Sequence, residues 1–357
     1  MRAIAALLAG VVLAGPVRAA DAPDPAVKVA IEKALKRIEA GVTNYPKQRR
    51  CFSCHHQAMA ILSLSAARER GFPVEAEFVQ RQVAFSLQSF RNRAVIAKGQ
   101  GVGGDSTAVV YALHAFAAGG HPYDETTTAL VEYLLVKQRR DGAWPIPAFG
   151  DRPPTMGSLF TNTGLALFAL KRYRPPPEVP DAAELHKRID AAFARGRAWL
   201  LANTPVTTED KVFRLKGLVY ASADPAEVAR ARDRLLKDQR PDGSWAQLAD
   251  MPGDAYATAT ALVALREAGL DTRHPAYQKG VAYLLTTQRD DGAWLVTTRS
   301  RPLQPFFDNG DPGGKSQFIS FAATNWAALA LLETIPPRPS ATPSPPAIGA
   351  AGRALPR

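Results

Sequence analysis

Three stretches of this chain, 138–144 (QRRDGAW), 239–245 (QRPDGSW) and 288–294 (QRDDGAW), carry one pattern: glutamine, two residues, Asp-Gly, a small residue, tryptophan. The last two glutamines lie 49 positions apart and the first two 101 apart, close to two periods with a degenerate copy between. Each copy ends an apolar, helix-like run. A fixed period of this length is the mark of stacked helical repeats. Asp-Gly supplies the turn, its glycine taking the positive φ that ends a helix. The amide and the indole are expected to stack on and cap the neighbouring repeat.

Outward from these motifs, two helix types alternate. Nearly all-apolar, small-residue runs fall at 55–70, 105–118, 161–173, 211–221, 254–268 and 317–334. Such runs predict buried helices. Amphipathic runs with apolar residues at three- and four-residue spacing fall at 25–41, 74–90, 124–138, 183–202, 225–239 and 275–288. Six of each, alternating, predict an all-α closed double ring, a single (α/α)6 toroid of about twelve helices. Inner helices are expected to line a central cavity and outer helices to face water, and closure removes the need for capping repeats.

The repeats, each followed by a loop and a buried helix such as DAYATATALVAL, resemble the terpenoid cyclase and protein prenyltransferase superfamily, the squalene-hopene cyclases most clearly. The likeness runs from about Pro25 to Ile335. It implies an α/α toroid and an apolar, isoprenoid-like substrate. Class II cyclases of that superfamily protonate a polyene with the central acid of a DxDDTA motif. Aligning Thr107-Ala108 of GGDSTAVVYAL with that motif puts Asp105 at the acid, with Gly103 and Ser106 in place of its two acidic neighbours. Asp105 is therefore the candidate catalytic acid. The other reading is an N-cap, and Asp254 of GDAYATA recurs at the same place in its own repeat. Aromatic residues make up only 8% of the chain, so a ring-rich, cation-stabilising cavity is not indicated. Tyr111, Phe160, Tyr256, Phe318, Phe321 and Trp326 are its candidate lining.

The only two cysteines stand in Cys51-Phe52-Ser53-Cys54-His55, followed by His56. CxxCH is the attachment pattern of a c-type haem: two thiols add to the vinyl groups and the histidine takes the iron. Cys51, Cys54 and His55 are the candidate cofactor residues, with His55 on the iron. A zinc site built from Cys51, Cys54, His55 and His56, a Cys51–Cys54 disulfide at the edge of a non-catalytic binding scaffold and a thiol redox pair remain alternatives. The zinc ligands of the protein prenyltransferases come from separate repeats and do not carry over. No sixth haem ligand stands out. Met59 shares the helix face of His55 and is too near, while Met156, His114, His121 and His56 are distant candidates.

Residues 1–19 read as an export signal, with Arg2, an apolar run over 4–14 and a small-residue cleavage site at Val17-Arg18-Ala19. The toroid domain is assigned to 20–335, and the Pro-rich stretch 336–357 to a disordered tail. Arg2, Arg18, Arg338, Arg353 and Arg357 contribute five of the eleven net positive charges. The body is then only modestly basic, and it lacks the basic stripe with interleaved aromatics that nucleic-acid binding needs. No run is long and charge-free enough to cross a membrane, though peripheral contact with anionic lipid is compatible with the charge. The expected location is periplasmic or extracellular, and the expected partner an apolar small molecule or a redox protein. The N-terminal ends of the inner helices are expected to gather at one mouth of the ring. That would bring together the CxxCH segment, Asp105, Thr161, Asn162, Asp210, Lys211 and Asp254, and the Gly/Pro-rich segment 297–315 is expected either to lie over that mouth or to be a tolerated surface insertion.

Overall fold

The computed structural model describes residues 24–148, 152–301 and 305–338. The export-signal expectation and all of the tail beyond Arg338 lie outside the described residues. Pro336–Arg338 stay against the body, with Arg338 N donating to Glu69 O at 2.8 Å.

Helices follow in the order α1 Pro25–Gln48, α2 Met59–Glu69, α3 Ala76–Leu87, α4 Arg93–Ile96, α5 Asp105–Ala118, α6 Glu125–Lys137, α7 Leu159–Arg172, α8 Ala182–Ala202, α9 Thr208–Tyr220, α10 Pro225–Lys237, α11 Ala255–Glu267, α12 Pro275–Thr287 and α13 Gln317–Leu332. Apart from the four-residue α4, these are the twelve expected helices. Inner helices α2, α5, α7, α9, α11 and α13 each pack on the next, and α13 packs back on α2, so the ring is closed. A two-residue antiparallel pair, β1 Trp245–Ala246 with β2 Gly253–Asp254, is the only sheet among the described residues.

The inner helices bury whole circumferences because their residues are small and apolar. Every residue from Ala255 to Leu265 is buried. Outer helices bury one stripe each, as in α1, where Val27, Ile31, Leu35, Ile38 and Val42 face inward. The ring's axis is filled rather than hollow. Tyr111 and Phe213 are fully buried, and the Phe213 ring meets Trp326 of α13 at 6.4 Å. The expected central cavity is thereby reduced to two separate openings, one at each end of the ring. The larger lies at the N-terminal ends of the inner helices.

The repeated motif joins each outer helix to the next repeat. In the second copy, Gln239 Nε2 donates to Gly243 O (3.0 Å) and to Ala276 O of α12 (2.7 Å). Trp245 Nε1 donates to Leu235 O (2.8 Å), and Trp245 N to Thr258 Oγ1 of α11 (2.9 Å). Gly243 sits at φ +88°, where a Cβ would lie 2.3 Å from Lys279 O. The first copy does the same through Gln138 and Ala192 O (2.8 Å), and the third through Gln288 and Ala30 O (2.9 Å). That last bond ties α12 to α1 and completes the outer ring.

Trp245→Phe keeps most of the buried ring but removes the indole donor from Leu235 O, which still accepts from Asp238 N (3.2 Å), and is expected to cost about 0.5–1.5 kcal/mol. Trp245→Ala is expected to cost about 3–5 kcal/mol. Urea unfolding should read both, with the two variants in that order.

Candidate functional site

The turn between α1 and α2 occupies the place that the Gln–Trp motif fills elsewhere, and it is made by the CxxCH segment. Phe52 anchors it, its N–H donating to Ser89 Oγ (2.7 Å) and its ring packing on Phe90 (5.5 Å). A π-helical turn, Cys54–Ala58, then leads into α2. Such wide turns recur at functional sites. Here the turn points two adjacent histidines in different directions.

His56 is fully buried. Its Nε2 lies 3.1 Å from Asp311 Oδ2 and 2.8 Å from Asn309 Nδ2, and its ring stacks on Phe321 (4.2 Å) and Tyr45 (4.9 Å). Asp311 also pairs with Arg37 at 3.2 Å. This clasp holds the segment 305–316 across the mouth, which decides between the two readings of that segment. Burial lowers the His56 imidazole despite Asp311, so it is neutral.

His55 faces the mouth cavity instead. The cavity measures about 270 Å³ and is bounded by Cys54 and His55, by Arg152–Met156 ahead of α7, and by Thr298, Ser300, Arg301, Pro305, Phe306, Lys315, Phe318, Ile319 and Ala322. Phe318 lies 5.0 Å from the His55 ring. The only polar side-chain contact of His55 among the described residues is Nδ1 with Cys54 Sγ (3.8 Å). Burial, then His56 and Arg152, hold this imidazole neutral. Burial also pushes the Cys54 thiol up to about 11.

Cys51 is exposed outside the cavity lining, its Sγ 3.7 Å from Tyr45 Oη. The two cysteines are unlinked. The four residues of the zinc alternative are not brought to one point: Cys51 faces outward, His56 faces Asp311, and no group of three or more His, Cys, Asp or Glu side chains among the described residues forms a metal cluster.

Asp105 stands elsewhere on the rim. Gly104 holds the N-cap position, and Asp105 follows it at φ +49°, a left-handed conformation that Asp tolerates better than most residues. Its carboxylate turns away from the mouth cavity onto α6. Oδ1 accepts from Ser106 N (2.7 Å) and Tyr133 Oη (2.9 Å), and Oδ2 pairs with Lys137 Nζ (2.9 Å). Asp254, by contrast, caps α11 through Ala257 N at 2.9 Å. The two aspartates therefore do different work. Asn162 donates to Pro145 O (2.6 Å), Asp210 accepts from Ser158 Oγ (2.6 Å), and Lys211 pairs with Asp238 (2.6 Å). Of the candidate aromatics only Phe318 lines the mouth cavity, while Trp326 lines the opening at the other end.

Glu209 has no place among the residues that the sequence singles out. It is buried beneath the mouth, accepting from Thr161 Oγ1 (2.8 Å) and Tyr256 Oη (3.2 Å), and Tyr256 Oη in turn lies 3.2 Å from Thr155 Oγ1 on the cavity wall. Burial pushes its carboxyl up to about 7, against the lowering effect of those two bonds. Its helical register with Val212, Phe213 and Lys216, all buried, was the signal available in the sequence.

The fold is an α/α toroid, and with its Gln–Trp motifs goes a family match to part of the chain. The match is to the squalene-hopene cyclase C-terminal domain, over residues 183–341. The squalene–hopene cyclase of Zymomonas mobilis is 39% identical over 110 residues, 30% of this chain and 15% of that protein. The chain spans between 11% and 34% of the length of the curated relatives it matches. A type II terpene cyclase of Scytonema, solved with its substrate geranylgeranyl dihydroxybenzoate, shares the fold at 15% identity and a TM-score of 0.54, covering 86% of this chain and 99% of that one. A glycosidase shares it at 12% identity and a TM-score of 0.58, covering 88% and 100%. One toroid thus carries unlike chemistries, and the fold alone assigns none. No helix among the described residues is long and apolar enough to cross a membrane.

Glu209→Gln gives a pH-dependent prediction. Below the usual carboxyl value of 4.5 the folded and unfolded chains both hold the proton; between there and about 7 only the folded chain does. Stability therefore falls as pH rises through that window, and the full cost is present above it. The variant should gain roughly 2–4 kcal/mol on the parent between pH 4 and pH 8, since each tenfold change in the proton equilibrium is worth about 1.4 kcal/mol. Urea unfolding at both pH values measures it, and a pH-independent difference would contradict it.

Proposed function

We propose that this chain is an exported toroid carrying a c-type haem on Cys51, Cys54 and His55, and that it works as a one-electron redox protein. The observation that carries this reading is that Cys54 and His55 line the same cavity at the ring's mouth. The donors on that wall suit the group, with Cys51 three residues before Cys54 and exposed outside the lining. A thiol and a neutral imidazole meet there on mostly apolar walls, and Arg152, Arg301 and Lys315 supply the positive charge that two propionates require. Attachment consumes no oxidant: each S–H adds across one vinyl C=C, sulfur bonding to one carbon and hydrogen to the other. When bound, the haem supplies a reversible one-electron couple. His55 would take the proximal iron position, with Phe318 fixing its ring, and a redox protein of the same compartment would exchange the electron.

A second reading follows from the comparisons: an enzyme acting on an isoprenoid-like, apolar substrate at the mouth, with Asp105 as acid. The ion pair of Asp105 with Lys137 and the absence of the two flanking acids weigh against it. Zinc on Cys51, Cys54, His55 and His56 lacks a converging ligand set.

Protein exported in the presence of c-type maturation factors tests the first reading. A Soret band is expected, and both it and the haem should be lost when Cys51 and Cys54 are replaced by alanine. Colourless parent protein that converts a polyprenyl substrate, with Asp105→Asn inactive, would overturn it in favour of the second.

A further inference from the structure

We infer that Met156 is the distal iron ligand of this site, so that the haem is held between the imidazole of His55 and the thioether of Met156; this rests on the haem reading above. A distal ligand must come from a wall other than the one bearing the CxxCH turn. Met156 belongs to the segment leading into α7, which forms a separate wall of the same cavity.

Elimination points the same way. His56 is clasped by Asp311 and Asn309. His114 lines the opening at the opposite end of the ring. His121 lies 3.1 Å from Asp124 Oδ2, His186 bonds to Pro175 O (2.7 Å), and His274 caps α12. Met59 is buried within α2, and neither it nor Met251 reaches the mouth cavity. Among the described methionines and histidines, only His55 and Met156 line it.

The segment is also built to hold its place. Met156 N donates to Arg152 O (3.0 Å), closing a tight turn. Ser300 Oγ donates to Pro153 O (2.9 Å), Thr155 Oγ1 meets Tyr256 Oη (3.2 Å), and Ser158 caps α7 through Phe160 N (3.1 Å). Together these four bonds fix the backbone from which the thioether projects. No polar group competes for its sulfur among the described residues. Ligation is a lone-pair donation from sulfur to iron, with no bond broken and no electron transferred. Thioether ligation raises the reduction potential relative to a second imidazole.

The test compares the haem-loaded parent with Met156→Ala and Met156→His. The ferric parent is expected to be low-spin, with the long-wavelength thioether-to-iron charge-transfer band, and its ferrous form to bind carbon monoxide poorly. Met156→Ala should lose the band, turn high-spin and bind carbon monoxide readily. Met156→His should return to low spin without the band, at a lower potential. Haem staining after denaturation and far-ultraviolet circular dichroism should be the same in all three, which separates loss of ligation from loss of attachment or fold. A haem-bearing parent whose band or carbon monoxide binding is unchanged in Met156→Ala would overturn the assignment of Met156 alone. A parent with no covalent haem would overturn both it and the reading on which it rests.

Discussion

A glutamine amide that spans two repeats is the contact on which this molecule depends. Its Nε2 group has two donors and meets two carbonyls, one in its own Asp-Gly turn and one on the following outer helix. The indole at the other end of the motif satisfies a carbonyl near the end of its own outer helix, and its backbone N–H is held by a threonine on the inner helix. Each copy therefore fixes three helices at once. The third copy grips α1 through Ala30 O. A linear stack of repeats would need polar caps at both ends, whereas this one closes on itself and exposes no apolar end.

Closure explains where the molecule can do chemistry. Small residues let the inner helices approach closely, Tyr111, Phe213 and Trp326 are buried among them, and an opening lies at each end of the ring. At the N-terminal end, the turn between α1 and α2 carries CxxCH, where three other turns from an outer to an inner helix carry the Gln–Trp motif. The strap 305–316 crosses above it, held by the His56–Asp311–Arg37 clasp. That turn sets a thiol and an imidazole on the wall of a mostly apolar cavity.

Legibility followed the range of the forces involved. Helix number, order and inner or outer assignment were written in periodicities that are local, and the expected helices match within a few residues except α1, which runs on from the expected end at Gly41 to Gln48. The filling of the axis was not legible, because it depends on which rotamers meet across the ring. His55 and His56 are indistinguishable in sequence; only the π-helical turn, and a partner more than 250 positions away at Asp311, gives them opposite roles. Asp105 read as a cap or an acid, and proved to be turned outward by two successive left-handed residues onto Tyr133 and Lys137. Glu209 hid in an ordinary acidic first turn, and Met156 in a Pro-rich loop that only the closed ring brings to the mouth.

Haem attachment at Cys51 and Cys54 is read by mass spectrometry of the tryptic peptide that begins at Cys51 and ends at Arg68, from protein purified without reductant and alkylated after unfolding. This peptide should carry the mass of one haem, and neither cysteine should alkylate. A peptide of bare mass with both cysteines alkylated would contradict attachment.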